Sequence, residues 1–239
     1  MSRRLAIISA WLLIGHVLWL AIFWGLLHVP ESSVWMLALS AALALLLVVV
    51  AATVAAGASA AWNLARSPAA TLLSGIRLAP AALMAALLFA AIWWLTGAIT
   101  GWHAGVAGQI DAWVIARTGR PNARWIHFAI FWLDMFVRWS LGLTLASSLL
   151  GALTTAGASS IRNGAWLRSG LVPARWLTVT FWFVLLVAIP WQLVDWRPAR
   201  LSLGLEPWFV GAKLAAIAVA MAVGWALVFR AGHGATEKT

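Results

Sequence analysis

An all-α bundle of six membrane-spanning helices is the fold this sequence predicts, and three observations carry the prediction. The chain is 64% apolar and only 9% charged over 239 residues, with a mean hydropathy of +0.96, whereas in soluble domains roughly a quarter of positions are charged. Its apolar residues fall in nearly uncharged stretches of about twenty, the length that crosses a hydrocarbon core at about 1.5 Å per residue. The stretches are rich in Ala and Leu and none alternates with a period of two, so helices rather than barrel strands must satisfy the backbone in lipid.

Taken in order, the expected spans are Leu5 to Leu27, Val34 to Ala60, Leu78 to Ile99, Trp139 to Ser160, Trp176 to Val194 and Trp208 to Phe229. The first follows Met1 to Arg4 and superficially resembles a secretory signal. Such a signal has an apolar region of about 7–15 residues ending at small residues. This run continues through Trp11, Trp19, Phe23 and Trp24 into His28, Val29 and Pro30, so an uncleaved anchor is expected. Between spans three and four lies the longest connection, Gly101 to Arg138. Ile110, Trp113, Val114 and Arg117 recur there at helical spacing and Gly119, Arg120, Pro121 and Asn122 form a break. A short interfacial helix followed by a turn is expected. All six spans belong to a single transmembrane domain covering residues 1–239.

Lys and Arg favour an N-in, C-in orientation. That arrangement places nine on the inner side (Arg3, Arg4, Arg66, Arg77, Arg162, Arg168, Arg175, Arg230, Lys238) and seven on the outer (Arg117, Arg120, Arg124, Arg138, Arg197, Arg200, Lys213). The first outer loop, His28 to Ser33, has none, which agrees with the retention of basic short loops in the cytoplasm. Residues 231–239 then form a short cytoplasmic tail. The formal net charge of +10 is not a nucleic-acid signal, because the arginines stand singly at span ends and suit lipid phosphates. The chain has no cysteine, which excludes disulfides and thiolate chemistry.

Tryptophan is the second anomaly, with 19 copies and no tyrosine. Trp24, Trp35, Trp93, Trp94, Trp102, Trp113, Trp125, Trp132, Trp191, Trp196 and Trp208 fall in or near the outer interface, and Trp62, Trp166 and Trp176 mark the inner one. An aromatic belt accounts for this pattern; an aromatic-lined pocket is the sharper alternative. Ala56-Gly57-Ala58-Ser59 near the end of span two matches Ala156-Gly157-Ala158-Ser159 near the end of span four. Asn63, Arg66 and Pro80 find counterparts in Asn163, Arg168 and Pro173. A direct repeat is therefore expected, spans two and three corresponding to spans four and five. The small-residue tetrads, and Gly97, Gly101 and Gly105 at four-residue intervals, are the expected sites of close helix approach.

The candidate site residues cluster where the long connection enters span four. Asp134 and Arg138 stand i, i+4 and meet on one helix face, which His127, seven residues earlier, shares; Trp132 is their aromatic neighbour. Near the bilayer midplane such a pair marks function, and at the outer interface it is an ordinary helix pair. The interfacial placement is favoured. His28, His103 and His127 all fall at outer span ends and are weak metal or haem candidates, because no ligand spacing supports them. His16, within span one, is expected to hydrogen-bond a neighbouring helix, and Lys213 to anchor the outer interface by snorkelling.

No nucleophile elbow or phosphate-binding loop occurs, so no catalytic residues or cofactor are expected. These features predict a non-enzymatic bacterial inner-membrane protein, permease-like or a subunit of a membrane complex. It would bind an apolar solute, lipid or protein partner, or a second copy of itself, and no nucleic acid. A membrane electron carrier or intramembrane enzyme using the outer histidines and Asp134 is the alternative.

Overall fold

The computed structural model describes residues 3–30, 33–62, 67–119, 124–194, 196 and 206–233. The side chains of 99–104, 106, 107, 124–128, 130–132 and 135 lie outside that description. Every regular element among the described residues is helical. They are α1 (Arg3–Leu27), α2 (Val34–Ala61), α3 (Pro68–Thr118), α4 (Arg124–Ala156), α5 (Ser159–Arg162), α6 (Ala165–Gly170), α7 (Pro173–Phe183), a π-helical turn (Val184–Ala188), α8 (Ile189–Gln192) and α9 (Glu206–His233). Among these residues six stretches are long and apolar enough to cross a membrane. Large side chains such as Ile14, Leu45, Leu73 and Leu87 point outward around them, an arrangement that only a lipid environment rewards. The chain is an integral membrane protein.

Helix α3 departs from expectation. The spans predicted at Leu78–Ile99 and the separate interfacial helix are one continuous rod of 51 residues, about 77 Å long. Ser67 caps its start, accepting from the Ala70 N–H, and Pro68 occupies the first turn, where its missing N–H costs nothing. Pro80 lies inside the rod without ending it, and the helix stops at Gly119, which takes a left-handed φ of 65° and closes it on the Ile115 carbonyl. About 30 Å of α3 therefore continues beyond Ala98, the end of its apolar span. Helix α4 returns antiparallel along it. The break predicted at Gly119 is where the hairpin turns.

Helix α4 is the centre of the bundle. Its apolar segment Phe136–Ala156 is 61% buried, against 11–28% for the other five, and it packs on α2, α3, α6, α7 and α9. The buried face explains its composition. Ser140, Thr144, Ser147, Ser148, Gly151 and Thr154 let neighbours approach, and the Thr144, Ser147 and Thr154 hydroxyls are satisfied by carbonyls of their own helix. Two apolar clusters include α4 residues: Ala52, Ala56, Ala81 and Ala85 with Leu149, Leu150 and Leu153, and Leu143 with Val179, Phe183, Val187 and Val228; a third, of Ile8, Leu12, Ala58, Trp62, Ala222 and Ala226, joins α1, α2 and α9.

The two matching tetrads take different structures. Ala56 to Ser59 lie buried inside α2, with Gly57 against the Thr71 carbonyl of α3. Ala156 to Ser159 are exposed where α4 ends, and Gly157 turns the chain at φ 64°. The short helices α5 and α6 then fold back along α4 until Gly170 packs on Leu145. The likeness between the copies is thus one of sequence and not of local conformation. The expected glycine ridge is also only partly used, because Gly97 lies beside Arg138 whereas a Cβ on Gly105 would meet open space. Span five starts three residues early at Pro173 and carries a π-helical turn before Pro190, whose ring and missing N–H disrupt the preceding turn.

The last helix runs four residues past the expected end of span six and takes His233 from the predicted tail into the bundle. Arg4 of α1 reaches the Trp62 carbonyl and His233 of α9 reaches Ser59. Both described ends of the chain therefore meet the last turn of α2, on one side of the bundle.

Candidate functional site

Three arrangements of polar or aromatic groups stand out from the apolar packing, and they occur at different levels of the bundle. At the end opposite the described chain ends, Arg138 and Asp134 form an ion pair, with Nε 2.8 Å from Oδ2. Both side chains are about one-tenth exposed (11% and 12%). The guanidinium also lies over the Trp93 ring of α3, 5.3 Å from its centroid, so it is held by charge and by a π face together. Arg138 lies about 24 Å along α4 from Thr154. The pairing expected from the i, i+4 spacing is present. The side chains of His127 and Trp132 lie outside the described residues, and it is Trp93, from another helix, that the sequence did not single out.

A row of rings leads inward from this pair. Trp93 meets Trp139 at 5.1 Å, Trp139 stacks on Phe183 at 4.8 Å, Phe183 meets Trp225 at 6.0 Å, and Trp225 meets Phe229 at 6.1 Å. These rings come from α3, α4, α7 and α9 and tie the four helices together. The belt and pocket readings of tryptophan therefore apply to different residues. Trp24, Trp35, Trp94, Trp191 and Trp208 are more than half exposed and suit a lipid interface, whereas Trp93, Trp139 and Trp225 are partly buried between helices.

At the end that holds both described chain ends, a buried polar clasp joins α2, α4 and α9. His233 Nδ1 donates to the Phe229 carbonyl at 2.8 Å, which leaves Nε2 as the acceptor in the neutral ring. Ser59 Oγ lies 3.4 Å from Nε2, Thr154 Oγ1 lies 3.3 Å from it, and the two hydroxyls are 3.3 Å apart. The Thr154 hydroxyl also bonds the Gly151 carbonyl at 2.9 Å. That engages its proton and leaves Ser59 to donate to the imidazole. The arrangement resembles a base-activated hydroxyl, but Ser59 is 1% exposed, and the three side chains join α2, α4 and α9. Nearby, Arg175 Nη1 donates to Ser148 Oγ at 3.3 Å.

Between α1, α2 and α9 lies an open groove of about 380 Å³, lined by Leu12, Gly15, His16, Trp19, Ala51, Val54, Ala55, Trp225 and Phe229. Tight helix contacts build its walls. Trp11 Nε1 donates to the Val54 carbonyl at 3.0 Å, and Gly15 has no room for a Cβ against Val54. His16 is the one ionisable group in the lining. Its Nδ1 bonds the Leu12 carbonyl of its own helix at 2.6 Å rather than a neighbouring helix, contrary to expectation.

The remaining candidates are dispersed. His28 Nδ1 bonds the Trp24 carbonyl at 2.8 Å and its ring packs on Trp24; the side chain of His103 lies outside the described residues. Among the described residues no three His, Asp or Glu side chains converge as a metal site. Lys213 Nζ donates to the Val194 and Trp196 carbonyls at 2.6 and 2.8 Å, so it closes the end of α8 instead of only reaching toward solvent. Trp62 is no interface marker but a buried hub, donating its indole N–H to the Ala226 carbonyl at 3.2 Å. Comparison with known protein families, curated proteins and solved structures finds no match to this chain.

Proposed function

We propose that this protein is a non-enzymatic, permease-like or complex-forming inner-membrane protein that takes an apolar chain, of the lipid class, into the groove between α1, α2 and α9. The observation that carries the reading is the composition of that groove. It is open rather than enclosed, its lining comes from three apolar spans, and its walls are aliphatic and aromatic apart from His16. An acyl chain or another apolar molecule can enter laterally without losing hydrogen bonds. The groove offers too few oxygen or nitrogen ligands to replace an ion's water shell, which disfavours ion transport.

The basic residues at the end holding both described chain ends support an N-in, C-in orientation. A role as a complex subunit draws on the α3–α4 hairpin, where Ile110, Trp113, Ile115 and Leu133 are exposed beyond or at the edge of the apolar spans. That surface suits a protein partner or a second copy of the chain.

Photo-crosslinking tests the groove. A phospholipid with a diazirine near the middle of its acyl chain, reconstituted with the full-length protein, is expected to label peptides containing Leu12–Trp19, Ala51–Ala55 and Trp225–Phe229 above other lipid-facing surfaces. Labelling spread evenly over exposed residues such as Leu37, Leu73 and Leu87 would overturn the reading.

A further inference from the structure

We infer that Arg4, Trp62 and Arg230 form a phosphate-binding site about two helical turns from the groove, which gives the bound molecule the class of an anionic phospholipid. The inference rests on the groove reading and adds a head-group preference to it. Trp62 ends α2 with a side chain only 9% exposed. Its carbonyl accepts from Arg4 Nη1 at 3.1 Å, and its ring carries the Arg230 guanidinium 5.6 Å from the centroid. Two cations, from α1 and α9, are thus gathered on one residue of α2.

A phosphate at this residue would meet positive charge from two helices. The described acidic residues are Asp111, Asp134 and Glu206, and none belongs to this end of the bundle. Among the described residues neither Arg4 nor Arg230 has a carboxylate partner. Both guanidiniums are on exposed residues, so their remaining N–H groups are accessible, and the planar fork of Arg suits phosphate oxygens.

Position ties this pair to the groove. Trp62 is packed in the same cluster as Leu12, Val54, Trp225 and Phe229, which line the groove. Leu12 stands about 12 Å above Arg4 along α1, and Ala55 about 10 Å above Trp62 along α2. A phosphate held by the two arginines places the acyl chain of the same molecule at the level of the groove. Basic pockets at the cytoplasmic ends of spans recognise lipid head groups by this chemistry. A soluble phosphate would satisfy the guanidiniums equally well but would leave the groove unfilled.

Native mass spectrometry of the full chain, extracted in detergent doped with equal amounts of dioleoyl phosphatidylglycerol and phosphatidylcholine, separates these cases. Wild type is expected to retain the anionic lipid about tenfold over the zwitterionic one. Arg4→Gln with Arg230→Gln should abolish the preference while total retained lipid persists. Arg4→Lys with Arg230→Lys should restore part of the preference, showing that charge rather than folding is read. Equal retention of both lipids by wild type, or a preference unchanged in the glutamine variant, would overturn the inference. Displacement by millimolar inorganic phosphate with no lipid retained would also overturn it, making the ligand a soluble anion. So would a preference appearing only in Glu237→Gln, because the chain's own carboxylate would then be the resident anion. Failure of the groove reading has a different signature, namely total retained lipid unchanged by Ala55→Trp.

Discussion

Gly151 of α4 and Gly232 of α9 meet backbone to backbone: a Cβ built on Gly151 would stand 2.8 Å from the Gly232 carbonyl oxygen. A Cβ on Gly232 would press in turn on the Ser147 carbonyl. The contact lies beside the Ser59–Thr154–His233 clasp, so backbone approach and hydrogen bonding fix the same crossing. Small residues perform this role between membrane helices because lipid supplies no hydrophobic drive to associate.

Gly232→Ala should therefore destabilise the detergent-solubilised protein by about 1–3 kcal/mol, as overpacking against a carbonyl does. Gly105→Ala is the contrasting substitution. Its Cβ would meet nothing within 4 Å, and Ala gains about 0.5–1 kcal/mol over Gly inside a helix. Thermal melts of the two variants should move in opposite directions. A neutral Gly232→Ala would remove the crossing from its central place in the fold.

The Asp134–Arg138 pair should be energetically coupled. Its exposure of about one-tenth leaves little water to screen it, and Arg138 also holds Trp93. Asp134→Asn is expected to cost about 1–3 kcal/mol. Arg138→Gln should cost more because it also loses the ring contact. A double-mutant cycle should return a coupling of about 1 kcal/mol or more, whereas small additive shifts would reduce the pair to a surface contact.

The clasp should show non-additive losses. Ser59→Ala removes the donor to His233 Nε2, which the Thr154 hydroxyl can replace by turning from the Gly151 carbonyl, and Thr154→Ala removes that substitute; each single change should cost about 1 kcal/mol. Together they leave the imidazole nitrogen buried without either partner, and the pair should cost more than the sum of the single changes. Guanidinium or thermal unfolding of the three variants measures this directly, and strict additivity would mean that water replaces the hydroxyls.

Much of this architecture is written in composition and spacing. Six apolar runs give six long helices because twenty residues without charge have few other stable states in lipid, and the i, i+4 spacing of Asp134 and Arg138 gives their contact because it is a local property of one helix. Long-range partners were not legible. Nothing in the sequence places Trp93 beneath Arg138, or His233 against a serine and a threonine far away in the chain, since such contacts depend on how helices cross. Helix limits were misjudged for a related reason. The expected third span starts at Leu78, but Ser67 and Pro68 supply a start signal ten residues earlier, and no glycine or proline interrupts the rod between Gly108 and Gly119. His233 looked like part of a polar tail because it is followed by Gly234 and charged residues. A histidine one turn beyond Phe229, on the stripe that ends with Gly232, was the available clue.

Lipid occupancy of the groove is most directly measured by native mass spectrometry of the gently delipidated protein beside Ala55→Trp, whose indole would fill the space between Leu12, Trp19 and Trp225. Wild type is predicted to keep lipid that the variant loses, with the melting temperature of the variant otherwise within about 5 °C of wild type. Equal lipid retention by two equally stable proteins would contradict the assignment of the groove as the binding site.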